Sequence, residues 1–244
     1  MIPQNIFREY DIRGTVGDEL TDDVVAAIAR GVATYLVGRG RKTALLGRDN
    51  RPSSEPFAAI LSDVFEGAGL DVVDLGLAPT PAFYFATRQY APGEGGVMVT
   101  GSHNPPQFNG FKISCGEGTI YGDEIRRIAE IIAAGEFATG KGSYEKRDVL
   151  DDYRRALLER VEISRPVKIV ADAGNGMASL LMPDLLADAG CDAEGLFCEL
   201  DGTFPHHWPD PTVPENMNAL IARVRETGAA AGVAFDGDAD RIGA

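Results

Sequence analysis

The sequence predicts an α/β fold of two consecutive domains, each a mainly parallel or mixed sheet with helices on both faces. Short apolar runs of strand length alternate along the chain with stretches that carry apolar residues at helical spacing. Strands separated by helical crossovers imply a mainly parallel sheet covered by helices. A glycine-rich polar stretch, residues 135–146, divides this alternation in two, and 244 residues are enough for two domains. We therefore expect a first domain over residues 1–146 and a second over residues 147–244.

The elements of the first domain are predicted from apolar spacing and from the residues that begin and end helices. A helix is expected over residues 24–37, where apolar residues recur at helical spacing and Gly38 follows. A second helix is expected from Ser53 or Ser54, both good caps, to Ala68. Further helices are expected from Pro79 and over residues 122–134, and strands over residues 43–46, 71–75, 96–99 and 110–114.

The second domain repeats this alternation up to the last residues of the chain. Its predicted helices cover residues 149–161, 175–189 and 215–227, and its predicted strands cover residues 167–171, 193–197 and 230–235. The chain ends at Ala244, shortly after an acidic loop, with no predicted helix, cap or polar tail. We therefore expect this chain to be the first part of a longer protein.

Composition and charge argue against several classes of protein. Apolar residues make up 44% of the chain and charged residues 25%, which is typical of a globular protein with a core. The net charge of −14 argues against a nucleic-acid partner, and it means that an anionic substrate needs a local basic cluster. Neither a signal peptide nor an apolar run long enough to cross a membrane is visible. The scattered cysteines Cys115, Cys191 and Cys198 favour free thiols and a cytoplasmic location.

A serine lies on a turn between two apolar strands of the first domain. Ser102 stands between Gly101 and His103, and the run Asn104-Pro105-Pro106 that comes next forces a turn. A hydrolase would need Gly-x-Ser-x-Gly, which the sequence lacks here, and the adjacent Ser102 and His103 are expected to point apart. Lys112 is expected to return toward the serine after a hairpin turn. The alternative is a turn whose polar side chains only satisfy backbone groups.

Three aspartates follow an apolar strand of the second domain. Asp236, Asp238 and Asp240 alternate with small residues, so a curled loop can aim their carboxylates at one point. Such oxygen ligands suit a hard cation such as Mg²⁺, whereas an EF-hand does not fit because Arg241 occupies the position that needs glycine. The alternative is a solvated acidic turn. Together with Ser102, the aspartates indicate a phosphorylatable serine and the metal that neutralises it, which points to phosphoryl transfer.

Three further motifs are weaker. The run Gly174-Asn175-Gly176 imitates a dinucleotide-binding turn, but the third glycine is missing and Asp172 would face the pyrophosphate, so a tight structural turn is favoured. His206 and His207 are adjacent, which favours a surface loop over a shared metal. The run Arg48-Asp-Asn-Arg-Pro52 follows a strand, and a salt-bridged turn is favoured slightly over a direct substrate contact.

Three motifs, in this order, resemble those of the α-D-phosphohexomutase superfamily. They are Phe7-Arg-Glu-Tyr-Asp-Ile-Arg-Gly14, Thr100-Gly-Ser-His-Asn-Pro105 with Asn109-Gly-Phe-Lys112, and Asp236-Gly-Asp-Ala-Asp-Arg241. The Tyr-Asp-Ile-Arg-Gly part of the first motif is similar to the bacterial phosphomannomutase/phosphoglucomutase branch. All 244 residues fit the first two domains of that family. Ala239 stands where many members have glycine, a change that we expect to leave the metal ligands intact.

The resemblance implies an enzyme that interconverts hexose 1-phosphates and hexose 6-phosphates of mannose or glucose. Ser102 would carry a phosphoryl group and exchange it with the sugar through a bisphosphorylated intermediate. Glucose 1,6-bisphosphate or mannose 1,6-bisphosphate would act as activator. Mg²⁺ would bridge phosphorylated Ser102 and the aspartates Asp236, Asp238 and Asp240. The family's domain III would supply a sugar-recognition loop and its domain IV a phosphate-binding loop, and we expect this chain to lack both domains.

The resemblance also assigns roles to side chains around the serine. The implied catalytic residues are Ser102, Lys112, Arg13, His103 and Arg241, and the implied substrate- or phosphate-binding residues are Tyr10, Arg8, Asn104 and Arg48. Either Lys112 or His103 serves in proton transfer, and the sequence leaves both open. Two other functions also stay open: a Mg²⁺-dependent phosphatase, and a non-catalytic module that binds a sugar phosphate or a metal.

Overall fold

The computed structural model describes residues 2–244, and their strands form two separate sheets. The first sheet contains β1 (Ile12–Thr15), β2 (Thr43–Arg48), β3 (Asp71–Leu77), β4 (Gly95–Val99), β5 (Phe108–Cys115), β6 (Gly118–Thr119) and β7 (Tyr144–Lys146). Its strands lie in the order β1-β5-β4-β2-β3-β7, with β6 paired to β5. Strands β4, β2, β3 and β7 run parallel, whereas β5 is antiparallel to β4 and β1. The sheet is therefore mixed, as the sequence predicts.

Helices cover both faces of this first sheet. They are α1 (Asp22–Gly38), α2 (Ser54–Gly67), α3 (Thr80–Gln89) and α4 (Asp123–Ala134). On β2, Ala44 and Leu46 belong to a core shared with α1, α2 and α4, whereas Leu45 belongs to a second core shared with α3. Because successive strand residues point to opposite faces, this alternation shows that the sheet is buried on both sides.

The second sheet is smaller and has the same α/β construction. It contains β8 (Lys168–Asp172), β9 (Asp192–Leu196), β10 (Ala231–Phe235) and β11 (Ile242–Gly243), in the order β11-β10-β8-β9. Strands β9, β8 and β10 run parallel, and β11 is antiparallel to β10. The helices that pack on its strands are α6 (Asp184–Asp188) and α7 (Asn218–Thr227), whereas α5 (Leu150–Leu158) contacts α3 and α6. The predicted α/β class is confirmed, and none of the described helices has the length and apolar character needed to cross a bilayer.

Two predicted segments differ in the structure. The continuous helix predicted over residues 175–189 is wrong: a 3₁₀ turn (Met177–Leu180) and the short α6 occur there instead. Pro183 explains the break, because it has no N–H to donate within a continuous helix. The polar stretch of residues 135–146 ends in β7, so its last residues belong to the first sheet rather than to a linker. We propose that the two domains meet near residue 147, between β7 and α5.

The carboxyl ends of three strands bring three loops to one place. The chain leaves β2 for a turn at residues 49–53, β4 for residues 100–107, named here the serine loop, and β10 for residues 236–241, named here the acidic loop. Open α/β sheets bind their ligands at this end of the strands. A hydrogen bond from Ser102 to Asp236 joins the serine loop to the acidic loop, and thus the first sheet to the second.

Candidate active site

Ser102 lies in the serine loop with its hydroxyl directed at the second sheet. The residue is fully buried, and its backbone φ is 50°, in the left-handed region. Its Oγ donates a hydrogen bond to Asp236 Oδ2 at 2.8 Å and lies 3.3 Å from His103 Nδ1. The expectation that Ser102 and His103 point apart is therefore wrong. A left-handed residue breaks the alternation of side chains that an extended chain would impose.

The acidic loop surrounds one point with carboxylate oxygens. One oxygen from each of Asp236, Asp238 and Asp240 lies within 4.8 Å of the other two. Within the loop, the backbone N–H groups of Asp240 and Arg241 both donate to Asp236 Oδ1 at 3.0 Å. Asp238 accepts a hydrogen bond of 2.7 Å from the hydroxyl of Thr80, at the start of α3. The structure thus brings the three predicted metal ligands together beside Ser102.

Lys112 lies between two of these carboxylates. Its Nζ is 2.6 Å from Asp238 Oδ2 and 2.6 Å from Asp240 Oδ2. The lysine side chain is only 12% exposed, so solvent screens these ion pairs weakly. Burial lowers the pKa of Lys112, but the two aspartates outweigh burial and raise that pKa overall. Lys112 is therefore a cation in this arrangement.

One lysine does not offset three clustered carboxylates. Burial raises the pKa of Asp238, but the charge and hydrogen bond of Lys112, together with hydrogen bonds that include the one from Thr80, lower that pKa overall. Asp236 has no such cation, and burial together with the charges of Asp238 and Asp240 raises its pKa. Asp238 Oδ1 is buried and has no hydrogen-bond partner among the described residues. A divalent cation would satisfy that oxygen and offset the remaining charge, so these residues fit a site for a hard metal ion.

His103 and Arg241 form a second contact between the serine loop and the acidic loop. Arg241 Nη1 lies 2.8 Å from His103 Nδ1. Because a guanidinium only donates, this contact assigns Nδ1 as an acceptor and places the ring proton on Nε2. Burial, and next the charge of Arg241, lower the pKa of His103. His103 is therefore uncharged at neutral pH.

Arg13 contacts the serine loop from β1. Its side chain is 8% exposed and donates to the carbonyl oxygen of Gly101 at 3.3 Å. It also donates to the side chains of Asn104 and Asp11. Two predicted residues, Arg13 and Asn104, are thus placed directly beside Ser102.

Three residues predicted to bind phosphate have other surroundings. Tyr10 is 71% exposed and Arg8 is exposed as well, and in the described part of the chain neither side chain hydrogen-bonds to the serine loop. Arg48 pairs with Glu55 at 3.2 Å. The serine loop is contacted instead by Arg51, in the turn that follows β2. Its Nη2 donates to the carbonyl oxygen of Ser102 at 2.8 Å. Phosphate binding by Tyr10, Arg8 and Arg48 stays a prediction.

Sequence reasoning missed Asp49, Arg51 and Thr80 as parts of this site. The basic turn of residues 48–52 did signal a salt bridge, and the structure contains it, between Arg51 Nε and Asp49 Oδ2 at 3.1 Å. Its contact with the serine loop depends on tertiary packing and leaves no local pattern. Thr80 stands between two prolines that start a helix, and its sequence surroundings indicate only that helix.

His206 and His207 anchor their loop to the turn that follows β8. His207 Nε2 lies 3.0 Å from Asp172 Oδ2, and His206 Nδ1 lies 2.7 Å from Asn175 Oδ1. The backbone N–H of Gly174 donates to the other oxygen of Asp172 at 2.8 Å. The glycines of this turn thus belong to a tight structural turn, and the two histidines contact a carboxylate and an amide.

The pairing of His207 with Asp172 is expected to make stability depend on pH. The hydrogen bond with Asp172 raises the pKa of His207 against the opposing effect of burial. Because the folded-state pKa is raised, the stabilisation is complete below the unfolded value of about 6.5 and is lost as pH rises through the folded value. Urea unfolding should therefore show a larger loss for His207→Gln at about pH 5.5 than at about pH 8.5. In an Asp172→Asn background this difference should disappear, and its persistence would assign the pH dependence to other groups.

Gly237 lets the acidic loop approach the serine loop closely. A Cβ added at this position would collide with the carbonyl oxygen of Ser102, a backbone atom that cannot move aside alone. Gly237→Ala is therefore expected to lower the free energy of unfolding by about 1–3 kcal/mol, the usual effect of overpacking, in urea titrations. Gly67→Ala serves as the control, because open space surrounds that glycine and alanine in a helix stabilises by about 0.5–1 kcal/mol. Equal effects at both positions would contradict the close approach.

Comparison with known proteins identifies relatives along nearly the whole chain. Residues 4–139 match the model of phosphoglucomutase/phosphomannomutase alpha/beta/alpha domain I, and residues 151–244 match that of domain II. The chain is 42% identical over 242 residues to phosphomannomutase/phosphoglucomutase of Pseudomonas aeruginosa, covering 99% of this chain and 52% of that protein. It is 40% identical over 244 residues to a phosphoglucomutase of Neisseria meningitidis, covering 99% of this chain and 53% of that protein.

A solved structure shows the same relationship in three dimensions. The phosphoglucomutase/phosphomannomutase family protein of Burkholderia thailandensis matches the fold with a TM-score of 0.94 and 43% identity, covering 100% of this chain and 55% of the other. The chain spans about half the length of the curated relatives it matches. Since the models of two successive domains match in order and together cover most of the sequence, the chain belongs to the phosphoglucomutase/phosphomannomutase family.

Proposed function

We propose that this chain forms the phosphoserine- and metal-binding half of a phosphohexomutase that interconverts hexose 1-phosphates and hexose 6-phosphates. The observation that carries the proposal is the 2.8 Å hydrogen bond from Ser102 Oγ to Asp236, one of three carboxylates gathered at one point. A phosphoryl group on this serine would lie next to a cation held by the carboxylates, as phosphoryl transfer requires. The names of its relatives support glucose and mannose as the sugars.

In the proposed reaction, phosphorylated Ser102 gives its phosphoryl group to a hydroxyl of a hexose phosphate. The bond from the sugar oxygen to phosphorus forms as the bond from phosphorus to Ser102 Oγ breaks. A base takes the proton of the sugar hydroxyl, and Ser102 Oγ takes up a proton. The bisphosphorylated sugar then turns around and returns its other phosphoryl group to Ser102. Glucose 1,6-bisphosphate or mannose 1,6-bisphosphate, the proposed activators, would load Ser102 by the same exchange.

His103 and Lys112 are proposed to have different roles in this exchange. The lowered pKa of His103 leaves it uncharged, and its Nδ1, 3.3 Å from Ser102 Oγ, can accept a proton once the hydrogen bond from Arg241 is released. The raised pKa of Lys112 keeps it protonated, which suits it to stabilise negative charge on the phosphoryl group. Arg13 and Arg241 would add positive charge from the two sides of the serine loop. Mg²⁺ held by the three aspartates would supply charge that offsets the charge on the transferring group.

We propose that sugar recognition comes from domains III and IV of a full-length enzyme. The relatives that this chain matches are about twice as long, which supports the proposal. Tyr10, Arg8, Asn104 and Arg48 would contribute to phosphate binding from this half. A cytoplasmic location is proposed as well, because Cys115, Cys191 and Cys198 are all unpaired.

The test is to map phosphorylation on the purified chain by peptide mass spectrometry, before and after glucose 1,6-bisphosphate is added with Mg²⁺. We expect a phosphoryl group on Ser102. Phosphorylation at a different residue would contradict the serine assignment. Release of inorganic phosphate faster than sugar-phosphate isomerisation would favour a phosphatase, and Mg²⁺ binding without any phosphoryl exchange would favour a binding module. The same measurement on a chain that includes the remaining domains separates an incomplete site from a wrong assignment.

A further inference from the structure

The buried guanidinium of Arg51 hydrogen-bonds to the backbone of the serine loop. Its side chain is fully buried, and Nε donates to Asp49 Oδ2 at 3.1 Å. Its two terminal nitrogens donate to backbone carbonyl oxygens of the serine loop and of the first residue of β5. These acceptors are Ser102 at 2.8 Å, Asn104 at 2.6 Å, Pro105 at 2.7 Å and Phe108 at 3.0 Å. One rigid planar group therefore fixes the positions of four carbonyl groups.

This contact acts on the residue whose backbone is strained. Ser102 has a φ of 50°, a conformation that non-glycine residues keep only when their surroundings impose it. Arg51 binds the carbonyl oxygen of Ser102 on one side, and Asp49 Oδ2 accepts the N–H of Gly101 at 3.1 Å on the other. The pair of Arg51 and Asp49 thus holds the chain both before and after the strained residue.

Gly101 shows how closely the guanidinium approaches. A Cβ at this position would lie 2.5 Å from Cζ of Arg51, nearer than real Cβ atoms approach other heavy atoms. Only glycine therefore allows the arginine to reach the carbonyl groups of the loop. The close approach of Arg51, which lies outside the serine-loop motif, therefore requires glycine at position 101 of that motif.

The second domain closes the other side of the guanidinium. The ring of Phe204 lies over it, with Cζ 5.0 Å from the ring centroid. A Cβ at Gly202 would collide with the backbone of Asn50 and Arg51, so the two domains are in close backbone contact here. Asn50 Nδ2 also donates to the carbonyl oxygen of Asn175 at 2.8 Å. Enclosure by both domains excludes water and strengthens the hydrogen bonds of Arg51.

We propose that Arg51 is a positioning residue for phosphoryl transfer, acting through the serine loop to keep Ser102 in the conformation that directs its hydroxyl at Asp236. The link to phosphoryl transfer rests on the proposed function. The effect of Arg51 on the order of the serine loop does not rest on the proposed function, and it can be measured without any sugar phosphate.

The decisive variant is Arg51→Lys. Lysine keeps a positive charge opposite Asp49, but its single ammonium group cannot reproduce the fork that binds four carbonyl groups. In hydrogen-exchange mass spectrometry of the unliganded protein, we expect residues 100–108 to exchange at least about 10-fold faster. We expect α1 to keep its protection. Arg126→Lys, on the exposed face of α4, is the matched control and should leave exchange in residues 100–108 unchanged.

Two functional readouts separate positioning from a general loss of stability. Phosphoryl transfer from glucose 1,6-bisphosphate to Ser102 should fall at least about 10-fold in Arg51→Lys, because misplacement of a nucleophile slows transfer strongly. The Mg²⁺ affinity of the acidic loop, measured by calorimetry, should change less than about 3-fold, because Arg51 bonds to none of the three aspartates and its charge is retained. A general loss of stability would lower both the rate of phosphoryl transfer to Ser102 and the Mg²⁺ affinity.

Several outcomes would overturn the inference. Unchanged exchange in residues 100–108 of Arg51→Lys would mean that the arginine does not order the loop. Equally faster exchange in α1 would mean that it only stabilises the fold. If Arg51→Lys does not fold, Phe204→Leu is the second test variant, because it leaves every hydrogen bond of Arg51 in place. In this variant we expect about 3-fold faster exchange confined to residues 100–108. Failure of the unaltered protein to label Ser102 would count against the proposed function and leave the exchange result valid.

Discussion

Replacement of Ser102 by alanine is expected to abolish phosphoryl transfer to the chain while leaving its fold intact. The substitution removes Oγ, the only atom of this residue that can bond to phosphorus. It leaves the Cβ atom and removes one hydrogen bond, that to Asp236, which contributes about 1 kcal/mol. The measurement is peptide mass spectrometry after incubation with glucose 1,6-bisphosphate and Mg²⁺, with circular dichroism to confirm the fold. We expect no phosphopeptide from the serine loop.

The matched control for this prediction is Ser143→Ala. Ser143 is exposed and its hydroxyl donates to Asp71 at 2.7 Å, away from the serine loop, so phosphorylation of Ser102 should continue. Labelling that persists in Ser102→Ala would place the nucleophile at another residue. Loss of labelling in both variants would point to a general effect of the substitutions rather than to Ser102.

Asp238→Asn is expected to weaken Mg²⁺ binding at least about 10-fold, since even changes to the outer partners of metal ligands weaken affinity by that amount. Asp238 is fully buried, and one of its oxygens has no partner among the described residues. Asparagine retains the shape and the hydrogen bond from Thr80 but loses the negative charge that both Lys112 and a cation need. Isothermal titration calorimetry with Mg²⁺ measures the change directly.

Asp63→Asn provides the control for charge alone. Asp63 lies exposed on α2, outside the acidic loop, and its replacement makes the same change in net charge. We expect its Mg²⁺ titration to match that of the unaltered chain. A titration that is also unchanged in Asp238→Asn would remove the acidic loop from metal binding, and with it the proposed role of the metal in phosphoryl transfer.

The predicted elements that are correct are those whose pattern is local. Residues 96–99 and 230–235 are apolar runs bounded by turn residues, and they form β4, which is buried at every position, and β10, which is mostly half-buried. The short strands β1, β6, β7 and β11 were not predicted. Each exists through pairing with a neighbouring strand, and two-to-four-residue segments carry too little periodicity to indicate such pairing.

In the candidate site, too, the sequence indicated residues that lie in short motifs but not the contacts that depend on the fold. The sequence indicated Ser102, Lys112 and the acidic loop because each lies in a short motif whose residue types suit phosphate or metal chemistry. It assigned phosphate binding to Arg48, the last residue of β2, and gave no role to Arg51, in the turn that follows. In the structure, the guanidinium of Arg51 hydrogen-bonds to the serine loop, and the guanidinium of Arg48 pairs with Glu55.

The α/β class, the family and the candidate site residues can all be inferred from the sequence alone, since apolar spacing and short motifs are properties of neighbouring positions. Which of these residues lie together, and which of them are charged, depends on the packing of distant parts of the chain. Ser102 and Asp236 are 134 positions apart and come within 2.8 Å because the two sheets present their carboxyl ends to each other. The opposite pKa shifts of Lys112 and His103 arise because each is partly buried beside charged groups from the other domain, aspartates for Lys112 and Arg241 for His103. Such distances and burial depend on how the domains pack, which no local pattern encodes.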